Sequence, residues 1–252
     1  MTLRVAFDLD GVLADMESEL IRQAEALFGE GLTTAPGGST PRTESAPGAG
    51  ESTEPASPTS LEESQADIPR RPKLALTPRQ QRRLWRHVAR IEGFWESLKE
   101  TEVGIVAQLA AVATRHRWEV IFLTKRPDTG AVTAQVQSQR WLDAKGFTLP
   151  SVYVVQGSRG RIAAALGLDV VVDDRPENCL DVIADSTARA MLVWREDEKL
   201  LPAAATNLGI DVVKSVAETL TVLTEPDPSA SEPPGLVNRV RRLLRRKEPA
   251  GA

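Results

Sequence analysis

The chain has 252 residues, of which 41% are hydrophobic and 26% are charged, as is ordinary for a globular protein. Its net charge of −4 gives no general case for nucleic-acid binding, and its single cysteine, Cys179, excludes an internal disulfide and a cysteine-clustered zinc site. No apolar run approaches the roughly 18 residues that a membrane span requires. Because the first residues already read as a strand, we expect no signal peptide and a cytoplasmic location.

The first predicted strand, within residues 3–12, ends in two carboxylates. Asp8 and Asp10 are separated by one residue, and Gly11 follows at once. Side chains two apart on a strand point to the same side, so both carboxylates can converge on one metal ion or phosphate. Two like charges this close repel each other unless a cation or a shared proton relieves them. This strand end therefore predicts a functional site.

A long polar segment interrupts the pattern after the first predicted helix. Residues 33–72 contain seven Pro, four Gly, six Ser and six Thr, which predicts a disordered loop. It is either a tolerated surface insertion or a partner-binding segment. Predicted amphipathic helices flank it, one over residues 15–28 and one that begins with a capping box at Thr77 and Gln80. We expect residues 15–99 to form a small helical cap.

From about residue 100, apolar strands alternate with helices. The strands are predicted at residues 119–124, 152–155, 169–174 and 190–194, with helices at 103–114, 129–145, 161–166 and 176–185. Together with the first strand, this pattern predicts an α/β fold: a Rossmann-like parallel sheet of about five strands covered by helices on both faces. We assign residues 1–14 and 100–224 to this core. Ligands of such sheets bind beyond the carboxyl ends of the strands, where Asp8, Asp10, Thr124, Asp173 and Asp174 fall.

The C-terminal segment, residues 225–252, differs in composition from the core. It starts as a Pro- and Ser-rich linker and continues as a predicted amphipathic helix with many arginines. Such a helix either docks on its own domain or contacts an anionic membrane, a nucleic acid or a protein partner.

The order of these motifs resembles the haloacid dehalogenase (HAD) superfamily of phosphotransferases. The resemblance covers residues 1–28 and about 88–200. It implies Mg²⁺ as cofactor, Asp8 as the nucleophile that forms an aspartyl-phosphate, and Asp10 as general acid and base. It also implies that Thr124 donates a hydrogen bond to the phosphoryl group. The implied metal ligands are Asp8, Asp10 through its backbone carbonyl, and the acidic pair, in which we favour Asp173 as the direct ligand and Asp174 as a ligand through water.

The phosphate-stabilising cation has two candidates. The family usually has a lysine before the acidic pair, whereas this chain offers Arg159 and Arg161. Arg161 opens the predicted helix before the Asp-Asp strand and has the better spacing, so we favour it and keep Arg159 as the alternative. Arginine would keep the charge but change the geometry of the contact.

Three shorter segments resemble the 5′(3′)-deoxyribonucleotidases. They are residues 92–98, Trp141 and residues 173–176. The resemblance implies that cap aromatics stack on a nucleobase, for which Phe94 and Trp95 are candidates, although such a pair can equally be core. The chain departs from these enzymes after Thr124, where residues 125–127 are Lys-Arg-Pro. The two cations Lys125 and Arg126 predict a bulkier or more anionic substrate, or an altered phosphate clamp.

Taken together, these features predict a Mg²⁺-dependent phosphomonoester hydrolase with a small phosphorylated substrate. The resemblance to the nucleotidases makes a nucleoside monophosphate, as for a 5′-nucleotidase, the leading candidate for that substrate. The alternative is a non-catalytic HAD-fold module that binds a phospholigand while the basic tail recruits a membrane, nucleic-acid or protein partner. Intact Asp8 and Asp10 argue against that alternative, since a module without catalysis has little need of both.

Overall fold

The computed structural model describes residues 2–29, 74–130 and 132–225. The predicted loop 33–72 and nearly all of the predicted tail 225–252 lie outside these residues, so both stay predictions. Within the described ranges, no helix is both long and apolar enough to cross a membrane.

A parallel sheet of six strands forms the centre of the fold, in the order β3-β2-β1-β4-β5-β6. The strands are β1 (Arg4–Asp8), β2 (Glu119–Thr124), β3 (Ser151–Val154), β4 (Val170–Asp173), β5 (Arg189–Val193) and β6 (Asp211–Val213). The predicted α/β class is confirmed. The sheet has one strand more than the five that the sequence predicts. The additional strand, β6, has only three residues, which is too short for a recognisable pattern of apolar residues.

Helices connect successive strands and cover both faces of the sheet. They are α1 (Met16–Phe28), α2 (Pro78–Val88), α3 (Ile105–His116), α4 (Ala134–Ala144), α5 (Arg159–Leu166), α6 (Pro176–Asp185), α7 (Ala203–Asn207) and α8 (Val216–Thr224). Two 3₁₀ turns occupy Phe94–Glu96 and Glu198–Leu200. Alternate residues of β1 enter different cores: Val5 and Phe7 pack into one cluster, whereas Ala6 packs into the other. A sheet buried on both faces explains why its strands read as unbroken apolar runs.

The two helices that flank the undescribed segment begin as their sequences predict. The Asp15 side chain accepts a hydrogen bond from the backbone N–H of Ser18 at the start of α1. Thr77 and Gln80 form the predicted capping box of α2. The two helices pack together, and His87 Nε2 lies 3.0 Å from Gln23 Oε1. Whether residues 15–99 act as a separate cap stays a prediction.

Candidate active site

The order of the strands brings the predicted site residues to one edge of the sheet. β1 lies between β2 and β4, and their carboxyl ends carry Asp8, Thr124 and Asp173 respectively. All three side chains are buried. The strand-end convergence expected from the sequence is therefore present in the fold, at the edge where parallel sheets bind ligands.

A tight turn after β1 brings Gly11 close to Asp174, the second residue of the acidic pair. Gly11 adopts a φ of +86°, a left-handed conformation that glycine takes at little cost. A Cβ atom at this position would lie 2.0 Å from Asp174 Oδ2. The glycine is thus required twice, by its backbone conformation and by the close approach of the Asp174 carboxylate.

The structure places Arg159, and not Arg161, beside the nucleophile candidate. Arg159 is 1% exposed, its Nη2 donates to Asp8 Oδ1 at 2.5 Å, and its Nε lies 3.5 Å from Asp173 Oδ2. The favoured Arg161 has a side chain that is 83% exposed and lies 3.7 Å from Asp185. This geometry corrects the preference for Arg161 as the cation beside the nucleophile candidate and favours the alternative, Arg159.

The reason lies in where α5 begins. The helix begins at Arg159, two residues earlier than predicted, because Ser158 is its N-cap and accepts a hydrogen bond from the Arg161 N–H. Residues two apart on a helix point to nearly opposite sides, since each residue turns the helix by about 100°. Arg159 shares its buried face with Ala163, so Arg161 faces solvent.

The two residues of the acidic pair have different surroundings. Asp173 accepts two hydrogen bonds from Asn178 Nδ2, at 2.9 and 3.0 Å, and one from the backbone N–H of Arg175. Among the described residues, two cavities border Asp10; Asp174 lines both of them, and Asp173 lines neither. Asp174 is therefore the member of the acidic pair that faces the cavities, and the direct binding of a metal ion by Asp173 stays a prediction.

Burial and like charge shape the electrostatics of the site. Burial and the neighbouring Asp173 carboxylate hold the pKa of Asp8 well above its usual range, although Arg159 acts in the opposite direction. Burial also raises the pKa of Asp173, while Arg159 and Asn178 lower it. A further cation at this place would favour ionised Asp8.

Asp10 is held by Arg126, which the sequence indicated only as a basic neighbour of Lys125 and not as a partner of Asp10. Arg126 is buried, and its Nε and Nη2 donate to the Asp10 carboxylate at 2.8 to 3.0 Å. Its Nη1 donates to Ser138 Oγ at 2.8 Å, and its guanidinium lies 4.8 Å from the ring centroid of Trp95. Thr124 Oγ1 also donates to Asp10, at 3.2 Å. The signal in the sequence was the position of Arg126, two residues after the strand-terminal threonine.

A cavity of about 260 Å³ opens over these groups. Its charged lining comprises Asp8, Asp10, Asp174, Lys125, Arg126, Arg159 and Arg175, and its apolar lining comprises Met16, Trp85, Trp95 and Pro127. Lys125 is exposed, and its expected contact to substrate stays a prediction.

The two aromatic candidates for base stacking differ in position. Phe94 is fully buried, packs edge-on against Trp95 with ring centroids 4.8 Å apart, and is not among the residues that line the cavity. Trp95 also has no exposed surface, but it forms part of the cavity wall, and its Nε1 donates to the Pro127 carbonyl at 3.1 Å. Phe94 is therefore a core residue. Trp85 of α2, which was not a candidate for base stacking in the sequence analysis, is half-buried and lines the cavity.

The donor set of the cavity fits a hard divalent cation bound with few protein ligands. Among the described residues, no three His, Cys, Asp or Glu side chains form a cluster that could hold a metal ion. Mg²⁺, however, commonly takes only one or two carboxylates and keeps several water ligands. Asp8 and Asp174 supply two carboxylates at one cavity. Burial is the largest cause of the raised pKa of Asp8, and the nearby carboxylates of Asp173 and Asp174 raise it further.

Comparison of the sequence with family models and with curated proteins finds no match. The solved structures that are similar to this chain include the following three. A candidate beta-phosphoglucomutase from Thermotoga maritima has 18% identity and a TM-score of 0.48, covering 88% of this chain and 98% of that chain. A hydrolase from Pseudomonas syringae has 15% identity and a TM-score of 0.47, with coverage of 88% and 98%. A haloacid dehalogenase-like family hydrolase from Xanthomonas campestris has 12% identity and a TM-score of 0.47, with coverage of 88% and 94%. These similarities are too distant to assign an activity.

Proposed function

We propose that the chain is a phosphomonoester hydrolase that works through an aspartyl-phosphate on Asp8. The observation that carries the proposal is the buried guanidinium of Arg159 beside this carboxylate. Nη1 of Arg159 is buried and makes no hydrogen bond within the described residues, although Nη2 is bonded to Asp8. Buried donors in folded proteins nearly always have a hydrogen-bond partner. A phosphoryl group in contact with Asp8 supplies one, because its oxygens accept hydrogen bonds from guanidinium groups.

In the first step, a carboxylate oxygen of Asp8 bonds to phosphorus while the bond from phosphorus to the leaving oxygen breaks. Charge is spread over the equatorial phosphoryl oxygens in the transition state. Arg159 stabilises that charge, because its donors already lie at the nucleophile. In the second step, water attacks phosphorus, Asp8 is released and inorganic phosphate forms.

Asp10 is the group that handles the proton in both steps. It would protonate the leaving oxygen and then take a proton from the attacking water. Its carboxylate is held by Arg126 and by Thr124 Oγ1, so its position relative to Asp8 is fixed before substrate binds. Within the proposal, the Thr124 hydroxyl, which donates to Asp10 in this structure, would donate to the phosphoryl group when substrate binds.

Asp8 and Asp174, with the backbone carbonyl of Asp10, would hold Mg²⁺. When bound, the ion would neutralise negative charge between the carboxylates and the phosphate dianion. Without such a cation, an ionised Asp8 would repel the phosphate it is meant to attack.

The apolar wall of the cavity suits an aromatic leaving group. Met16 and Trp85 of the helices near the undescribed segment and Trp95 face the same cavity as Asp8. Within the proposal, a nucleoside monophosphate places its phosphate at Asp8 and its base against this wall. The alternative of a non-catalytic module depends on residues 33–72 and 226–252, which the structure does not describe.

The proposal is tested by incubating the purified full chain with Mg²⁺ and a panel of phosphate monoesters that includes nucleoside monophosphates and sugar phosphates. We expect phosphate release that chelation abolishes and that Asp8→Asn lowers by at least about 10³-fold. Asp143→Asn, an exposed carboxylate on α4, is the matched control and should retain activity. Equal release by the Asp8→Asn variant, or no metal-dependent release from any ester, would refute the proposal.

A further inference from the structure

The cavity carries more positive charge than a single phosphate at Asp8 requires. Four basic side chains line it: Lys125, Arg126, Arg159 and Arg175. Arg126 is bonded to Asp10, and Arg159 is bonded to Asp8, so both are committed to the reacting end of the cavity. Lys125 and Arg175 remain without a role in the proposed chemistry.

These two side chains are exposed at the cavity mouth and flank the nucleophile strand. Lys125 follows β2 directly and Arg175 follows β4, and these strands lie on either side of β1. Within the described ranges, Lys125 makes no ion pair. Arg175 has a side chain that is 59% exposed and lies 3.7 Å from Glu177 on the same turn, a long and exposed pair that holds it weakly.

The rest of the cavity lining determines what kind of group the two cations can attract. Besides Asp8 and Asp10, the described cavity lining contains one further carboxylate, Asp174, whose charge the proposed metal ion would neutralise. The remaining wall is largely apolar, with Met16, Trp85 and Pro127. Two exposed cations beside an apolar wall attract an anion that enters with the leaving group, because charges at the mouth of a low-dielectric cleft are less screened than on an open surface.

We propose that the preferred substrate carries a second anionic group, a carboxylate or a second phosphate, on the part of the molecule that leaves, and that Lys125 and Arg175 bind this group. This inference rests on the proposed phosphatase activity and adds the class of substrate to it. The phosphoryl group reacts at Asp8, an uncharged middle portion lies against the apolar wall, and the second anion binds at the mouth.

The test compares two substrates of the same shape that differ mainly in this charge, para-carboxyphenyl phosphate and its neutral isostere para-carbamoylphenyl phosphate. An exposed ion pair changes an equilibrium by up to about fivefold, so two such pairs should favour the carboxylate by about tenfold in kcat/KM. The ratio should fall about threefold in Lys125→Gln and in Arg175→Gln, and approach one in the double variant. Because exposed charges are screened by salt, the wild-type ratio should also fall between low and high ionic strength.

Arg115→Gln, which removes an exposed arginine from the end of α3, is the control and should leave the ratio unchanged. A ratio near one in the wild type, or a ratio that neither variant alters, overturns the second-anion inference while the phosphatase proposal stands. Equal losses on both substrates also overturn it, because Lys125 and Arg175 would then act on the reacting phosphate. No hydrolysis of either ester, or of the wider panel, overturns the proposed function and this inference with it.

Discussion

Replacing Arg159 with methionine removes the one guanidinium that contacts Asp8 among the described residues. Its side chain is 2% exposed and approaches Asp8 and Asp173, at 2.5 and 3.5 Å. Removing one partner of a buried ion pair costs about 3–5 kcal/mol, because the other charge stays buried without compensation. We expect Arg159→Met to lower the free energy of unfolding by about 3 kcal/mol near pH 8 and to abolish phosphate release.

The loss of stability should depend on pH in a defined direction. The pKa of Asp8 is already raised in the folded protein, and removal of Arg159 takes away a group that lowers it. With a raised pKa, the folded state binds more protons than the unfolded state, so stability falls as pH rises between the unfolded and folded values. Lowering the pH within this window should recover up to about 1.4 kcal/mol per unit for each proton taken up.

The assay is urea unfolding at several pH values, with phosphate release measured on the same samples. Arg161→Met is the matched control, since its side chain is 83% exposed, and it should leave both quantities near the wild-type values. If Arg161→Met abolished activity and Arg159→Met did not, or if both variants were equally stable at every pH, the assignment of Arg159 as the buried cation would be wrong.

Three further predictions concern packing, reactivity and metal binding. Gly160→Ala should lower the free energy of unfolding, measured with urea, by about 1–3 kcal/mol, because its Cβ would lie 1.9 Å from the carbonyl oxygen of Asp181. Gly157→Ala is the control and should be neutral or slightly stabilising, since no atom lies within 4 Å of its Cβ. Equal losses in the two variants would contradict the close packing of α5 on α6. Burial raises the pKa of the Cys179 thiol, so a thiol reagent should label it only after unfolding, and rapid labelling of the native protein would show the burial to be wrong. Mg²⁺ should raise the Tm of the wild type and raise it less in Asp174→Asn; an unchanged shift would exclude Asp174 as a ligand.

Most of the sheet could be predicted from the sequence because buried parallel strands are continuous apolar runs. The bounds of β2 and α6 agree with the prediction, and Thr124 and Asp173 fall at strand ends as expected. β6 was not predicted, since three residues carry too little pattern, and its place beside β5 depends on long-range pairing.

The choice between Arg159 and Arg161 depended on a two-residue shift in a helix start. The N-cap at Ser158 was the signal that could have corrected it, because it places Arg159 and Ala163 on one face. The roles of the acidic pair could not be read in this way. Asp173 is turned toward Asn178, and this contact is set by the start of α6 rather than by local sequence pattern.

The sequence places Arg126 two residues after Thr124, but it does not show that Arg126 binds Asp10. The pairing of Arg126 with Asp10 joins residues 116 positions apart and requires the parallel pairing of β1 with β2. The basic residues after Thr124 were noticed, but only the fold shows that Arg126 is buried while Lys125 is exposed. Burial thus separates two adjacent cations into a positioning residue and a candidate for substrate binding.

The most direct test of a nucleophilic Asp8 is to trap the covalent intermediate. The full chain, with Mg²⁺, would be mixed with a substrate carrying radiolabelled phosphate, quenched in acid within the first turnover and digested. We predict hydroxylamine-labile label on the peptide that contains Asp8, and none in Asp8→Asn. Rapid turnover of the wild type without label on that peptide, or hydrolysis by Asp8→Asn at the wild-type rate, would contradict this role of Asp8.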